Sequence, residues 1–129
     1  MKQTDFLYAV DTKKSFDEAV IAVLKAIEKQ GWALFQIYDV KERLAAKGFE
    51  HERLKIIEIC SAKHANKFLQ ANKFVSLCMP CKINVIESEG YVKIAGMKPT
   101  LIAELFSEIN KQDAETAENE VIAIINDAK

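Results

Sequence analysis

The chain has 129 residues, of which 50% are hydrophobic, and its 18 basic and 19 acidic residues leave a formal net charge of -1. This length and apolar content are typical of one domain that builds its own hydrophobic core, and they exclude a disordered chain. The balanced charge without a basic stripe argues against a nucleic-acid partner, and no segment has the apolar length that crosses a membrane.

The first third of the chain predicts a strand, a helix and a second strand. Residues 6–10 alternate loosely between two faces, which favours a strand. Ser15 and Glu18 match a capping box, and apolar residues then recur at helical spacing until Gly31, where a C-terminal cap is expected. The aromatic and aliphatic run at 32–38 predicts the second strand.

The middle of the chain continues to alternate strands with helices. A short helix capped by Asp39 is expected next, and residues 54–60 predict a third strand. Another short helix, capped by Ser61, is expected to end near Asn72. The segment 74–77 is predicted as a strand or an extended connection.

The last third of the chain predicts a hairpin and two helices. Strands at 82–87 and 91–97 are joined by a turn in which Gly90 is free to take a positive φ. The first of the two helices that follow is expected to carry apolar side chains as far as Ile109, and Asp113 is expected to cap the second.

This order of elements predicts an α+β fold in which helices cover a curved mixed or antiparallel sheet. The order is strand, helix, strand, helix, strand, helix, strand, strand, helix, helix, and the late hairpin argues against a purely parallel sheet. No linker or repeat divides the chain, so a single domain is expected over 1–129, with a C-terminal helix at about 113–128.

The short motif Cys78–Cys81 has the spacing of a thiol-disulfide oxidoreductase pair. In those enzymes the pair opens a helix, whose N-terminus lowers the pKa of the attacking thiol. Here Cys81 runs directly into a predicted strand, so the helix dipole that would activate the thiol is missing.

Adding Cys60 and His64 to this pair gives three thiols and one imidazole, a donor set that would satisfy tetrahedral zinc. The spacing between Cys60 and His64 is uncommon for a zinc knuckle, and a chain this apolar needs no metal in order to fold. Under the alternative interpretation the cysteines are small buried hydrophobes and His64 lies on the surface of its helix. The cofactor is therefore left open, with zinc as a candidate.

The number of cysteines also bears on the compartment. Three cysteines without framework spacing do not predict a secreted disulfide protein, and the N-terminus shows no signal-peptide pattern. We therefore expect a cytoplasmic protein with reduced thiols.

The two histidines and four isolated glycines support neither serine-histidine catalysis nor a phosphate-binding loop.

Several segments in order along the chain resemble the domain-of-unknown-function family 302 of small bacterial and archaeal proteins. They are Ser15–Val20, Ile59–Ala65, Leu77–Cys81 with the strand that follows as far as Glu87, and Met97–Pro99. The resemblance covers about 5–110 and implies an α+β sandwich, usually a homodimer, without an established activity. It implies a cysteine at the position of Cys60 and a Pro-Cys pair at Pro80–Cys81.

The resemblance therefore shifts the expected site toward a pair formed by Cys60 and Cys81. These thiols would meet at one end of the sheet if their strands are antiparallel neighbours. The first hypothesis is a non-enzymatic homodimer that binds an unknown small ligand or metal there, with His64 and Cys78 as further contributors. The second is a thiol redox or sulfur-relay activity of Cys60 and Cys81, and the third is an interaction module whose cysteines only pack.

Overall fold

The computed structural model describes the whole chain, Met1 to Lys129, and its elements follow the expected order. The strands are β1 (Leu7–Thr12), β2 (Ala33–Asp39), β3 (Leu54–Cys60), β4 (Cys81–Ser88) and β5 (Tyr91–Met97). The α-helices are α1 (Phe16–Gln30), α2 (Val40–Ala45), α3 (Ala62–Ala71), α4 (Thr100–Leu105) and α5 (Lys111–Ala128). None of these helices has both the length and the apolar character needed to cross a membrane.

The five strands form one antiparallel sheet in the order β1-β5-β4-β3-β2. The expected α+β class is therefore confirmed. β4 is the middle strand, and its neighbours are the hairpin partner β5 and the strand β3, which precedes α3. This topology brings the end of β3 beside the start of β4, although a helix and a 3-10 helix separate them along the chain.

Helices α1 and α5 pack against each other and against one face of the sheet. The capping box that starts α1 is present, since Ser15 Oγ accepts from the Glu18 amide and the Glu18 carboxylate accepts from the Ser15 amide. The core between this face and the helices consists of Phe16, Ala19, Val20, Val23, Ala26, Ile27, Trp32, Ile57, Ile59, Ile83, Val85, Val92, Ile94, Val121, Ile124, Ile125 and Ala128. We call this set the sheet core.

The opposite face of the sheet carries the side chains that alternate with those of the sheet core. None of them is fully buried. They include Leu54, Ile56 and Glu58 on β3, Asn84 and Ile86 on β4, and Lys93, Ala95 and Met97 on β5. We call this surface the open face.

A second hydrophobic cluster lies beside the sheet core. It is formed by α3, the 3-10 helix Lys73–Cys78, α4 and the first part of α5, and its members are Phe68, Val75, Ile102, Ile109, Ala114 and Ala117. We call it the side cluster. Helix α5 joins the two clusters, because its first turns contribute to the side cluster and its later turns to the sheet core.

The structure corrects two expected starts of secondary structure. Residues 74–77 belong to a 3-10 helix, which begins where the Asn72 side chain accepts from the Phe74 amide. Helix α5 is capped by Asn110, whose side chain accepts from the Asp113 amide, so Asp113 receives the cap that it was expected to supply. In both cases an asparagine side chain starts the helix, because its oxygen reaches an amide two or three residues ahead.

A third correction concerns α4, which ends at Leu105 and is shorter than expected. Ile109 therefore lies in the connection to α5, yet it is buried in the side cluster. Apolar spacing alone did not reveal the break, because the connection continues to place an apolar side chain toward the same cluster.

Candidate functional site

Two of the three cysteines lie at the same end of the sheet. Cys60 is the last residue of β3, Cys81 is the first residue of β4, and Cys81 lies opposite Ile59 in the antiparallel register. The strand adjacency on which the Cys60–Cys81 hypothesis depended is therefore present. All three cysteines are free thiols.

Cys60, Cys81 and His64 line one small cavity between the end of β3, the start of α3 and the start of β4. Its volume is about 30 Å³, which is room for one or two water molecules. Most of its walls are apolar and include Ile59, Phe68, Met79, Pro80 and Ile102. We call this space the thiol cavity.

Cys78 does not line the thiol cavity, although it adds a smaller contribution to the raised pKa of nearby Cys81. It ends the 3-10 helix and packs against the side cluster, whereas Cys81 packs against the sheet core. Cys81 opens a strand, so the Cys-x-x-Cys motif does not itself begin a helix. No three His, Cys, Asp or Glu side chains come together in a metal-ligating arrangement. The zinc ligand set of Cys60, His64, Cys78 and Cys81 is therefore not formed.

His64 is buried, with 4% of its surface exposed, so the interpretation of His64 as a surface helix residue is wrong. Its Nε2 lies 3.0 Å from Oε2 of Glu120 on α5. His64 precedes Phe68 by one helical turn, and both side chains lie on the buried face of α3. That spacing is the sequence signal that could have indicated burial.

The Glu120 carboxylate also accepts a hydrogen bond from Trp32, whose Nε1 lies 2.8 Å from Oε1. The Trp32 and His64 rings are tilted neighbours, with centroids 5.9 Å apart. Glu120 was not among the expected site residues, because it lies 56 residues from His64. A weaker signal was present, since Glu120 interrupts the stripe of buried residues on α5 that includes Ala117, Val121 and Ile124.

The Glu120 carboxyl is held in its ionised form. Partial burial, the largest single influence, raises its pKa, whereas the hydrogen bonds to Trp32 and His64 and the nearby charge of Lys63 lower it. The net pKa of Glu120 lies below its usual value. A charged acceptor thus lies between two ring N–H groups at the edge of the cavity.

The thiols of the cavity are held in their neutral form. Burial raises the pKa of the Cys81 thiol to about 11, with a further contribution from neighbouring Cys60. Burial also raises the pKa of Cys60. Because the thiolate is the nucleophilic form, neither cysteine has the activation expected of a catalytic thiol.

A larger depression lies at the other end of β3 and has a volume of about 890 Å³. It is open to solvent and lined mainly by charges of both signs, including Lys41, Glu50, Arg53 and Glu87. Mixed charges on an open loop surface are typical of solvated side chains. The thiol cavity is the stronger candidate, because a buried imidazole and two thiols converge on it.

The comparisons with known proteins agree with the fold. The profile of the family described as domain of unknown function DUF302 matches residues 8–128. A crystal structure of an uncharacterised conserved DUF302 protein from Bacillus stearothermophilus is similar, with a TM-score of 0.88 and 25% sequence identity over 96% of this chain and 98% of that one. No curated protein matches the chain. Because the family profile spans nearly the whole sequence, the chain belongs to the DUF302 family.

Proposed function

We propose that the protein is a homodimeric binding module that takes a small group into the thiol cavity. The observation that carries this proposal is the convergence of Cys60, His64 and Cys81, from three different elements, on one small and largely apolar cavity. Apolar cavities with a few convergent polar groups are the usual form of small-molecule sites. We place the protein in the cytoplasm, where its three free thiols stay reduced.

The size and chemistry of the cavity limit what it accepts. A volume of about 30 Å³ admits a ligand, or the tip of one, of roughly one or two non-hydrogen atoms. The raised pKa values of Cys60 and Cys81 keep both thiols neutral, so they contribute soft, weakly polar contacts. The site therefore favours a compact neutral group over an anion.

A thiol redox or sulfur-relay activity is the second candidate. It is favoured by the proximity of the two thiols, since Cys60 and Cys81 line the same small cavity. It is opposed by the direction of both pKa shifts, because the attacking sulfur in thiol-disulfide exchange is a thiolate. We therefore rank it below binding.

Alkylation kinetics separate these two candidates. At pH 8 we expect Cys81 in the folded protein to react with iodoacetamide about 100-fold more slowly than an unperturbed thiol, because its pKa is raised from 9.0 to about 11. Rates are followed by mass spectrometry of the cysteine peptides, and the same protein in concentrated urea is the control in which the three rates should converge. A fast Cys81 or Cys60 would reverse the ranking and favour the redox candidate.

The homodimer is proposed to form through the open face. Helices α1 and α5 cover the other side of the sheet, whereas Leu54, Ile56 and Ile86 on the open face are only half-buried. Exposed Met97 lies on the same face of β5, on the far side of Ala95 from the charged Lys93. A patch of neighbouring apolar side chains such as Leu54, Ile56 and Ile86 is typical of protein interfaces.

Asn84 on the open face carries an unpaired polar atom, which also favours contact with a second copy of the chain. Its Oδ1 is buried and accepts no hydrogen bond, at a cost of about 1–3 kcal/mol for an unpaired acceptor. Asn84 lies on the middle strand of the open face, where a twofold axis would bring two copies of it together. An asparagine amide both donates and accepts, so a turn of the Asn84 side chain toward the open face lets two copies satisfy each other.

Substitution of Ile56 by lysine tests this interface. We expect Ile56→Lys to weaken dimerisation by a factor of about 100 or more, because an unpaired charge would be buried between the sheets. Sedimentation velocity over a concentration series measures the effect. The matched control is Leu77→Lys, which changes a side chain 83% exposed on the 3-10 helix and should leave the dimer intact. A wild-type protein that stays monomeric at high concentration would refute the dimer.

A further inference from the structure

The Glu120 carboxylate contacts one ring nitrogen of Trp32 and one of His64. Trp32 Nε1 donates to Oε1 at 2.8 Å, and His64 Nε2 lies 3.0 Å from Oε2. An indole nitrogen is only ever a donor, and an ionised carboxylate is only an acceptor. His64 must therefore also donate, which places a proton on its Nε2.

In the neutral ring, the same contact also determines the state of the other nitrogen. In a neutral imidazole with a proton on Nε2, Nδ1 carries a lone pair and accepts. Nδ1 of His64 makes no hydrogen bond within the protein and is not among the fully buried unpaired atoms. The ring lines the thiol cavity, whose other walls are mainly apolar or bear the neutral thiols of Cys60 and Cys81.

We propose that Glu120 is a positioning residue that holds His64 in the Nε2–H tautomer and thereby makes Nδ1 the hydrogen-bond acceptor of the thiol cavity. The group that the cavity takes is then a small neutral donor, a thiol S–H or a hydroxyl O–H. This inference rests on the proposed binding function and names the chemistry of its ligand. Anions are disfavoured, because Nδ1 of His64 is itself an acceptor, the Glu120 carboxylate nearby is negatively charged, and the thiols are neutral.

An isosteric substitution tests the tautomer. In Glu120→Gln the amide must keep its carbonyl oxygen toward Trp32, because two N–H groups cannot face each other there. Its NH₂ group then faces His64 Nε2, which becomes an acceptor, and the ring proton moves to Nδ1. Long-range ¹H–¹⁵N NMR of the neutral rings distinguishes the two tautomers. We expect Nε2–H in the wild type and Nδ1–H in Glu120→Gln.

Two controls accompany this measurement. His51, the other histidine, is exposed and should give the same spectrum in both proteins. Trp32→Phe combined with Glu120→Gln removes the donor that fixes the amide, so the amide can turn and the Nε2–H tautomer should return. A structural role alone predicts no such reversal. A wild-type spectrum with a proton on Nδ1, whether alone or on a doubly protonated ring, overturns the inference even if no variant folds.

Ligand titration separates this inference from the binding proposal. Methanethiol and ethane have similar size, but only methanethiol donates. We expect methanethiol to shift the His64 Nδ1 resonance of the wild type and to bind about tenfold more weakly to Glu120→Gln. Equal binding of ethane would overturn the donor requirement and keep the cavity as a binding site. Failure of both probes to bind the wild type would overturn the proposed function itself.

Discussion

Substitution of Ile83 by alanine is expected to lower the free energy of unfolding by about 3–4 kcal/mol. Ile83 lies on the middle strand β4, and its side chain is completely buried in the sheet core. The change removes buried methyl and methylene groups and leaves a cavity that neighbours on both sides of the strand cannot fill. Urea denaturation followed by circular dichroism measures the loss.

Ile21 offers a matched control for this prediction. It lies on α1 with 54% of its surface exposed, so Ile21→Ala removes the same atoms without opening a cavity. Alanine is also the better helix former, and we expect a change within about 0.5 kcal/mol. Similar losses at Ile21 and Ile83 would mean that β4 is not at the centre of the core.

Substitution of Gly96 by valine is expected to destabilise the protein by about 3 kcal/mol, although valine favours strands. A Cβ atom at Gly96 would lie 3.1 Å from the backbone oxygen of Lys82 and 3.2 Å from Cδ1 of Ile125. The first contact involves backbone and cannot relax easily. Helix α5 approaches β5 closely at this point, so even a Cβ atom at position 96 would be crowded.

A double-mutant cycle isolates that close approach. Ile125→Val removes the Cδ1 atom that would meet the new Cβ, and on its own it should cost about 0.5–1.5 kcal/mol. In the presence of Gly96→Ala the same change should cost less, because it also relieves the overpacking. Thermal and urea unfolding of the four proteins give the coupling. Strictly additive losses would show that α5 does not restrict position 96.

The elements that the sequence predicted correctly are those marked by residues close to each other in the chain. Ser15 and Glu18 identified the start of α1 because both partners of the capping box lie within one turn. Gly90 identified the hairpin, in which it adopts a φ of 83°. The cap at Asn110 was missed because asparagine and aspartate cap equally well, and sequence does not say whether Asn110 or Asp113 begins the helix. Asn72 was expected only as the end of α3, and it also starts the 3-10 helix.

The candidate site was only partly predictable for a different reason. Cys60 and Cys81 could be paired once their strands were assumed to be neighbours, which the register satisfies. Glu120 could not be connected with His64, because only the packing of α5 against the start of α3 brings them together. The close approach of Ile125 to Gly96 is likewise a product of packing, since only the position of α5 on the sheet brings them together.

The division of α5 between two clusters has a consequence for how the cavity exchanges its contents. Glu120 lies between Ala117 of the side cluster and Val121 of the sheet core, so the cavity is at the boundary of the two. Hydrophobic clusters can unfold locally as separate cooperative units, and the side cluster contains fewer buried side chains than the sheet core. It is therefore expected to open more readily. Amide protons of α3 and α4 should therefore exchange with solvent faster than those of β4. Partial opening of the side cluster then gives access to Cys60 and Cys81 while the sheet stays folded.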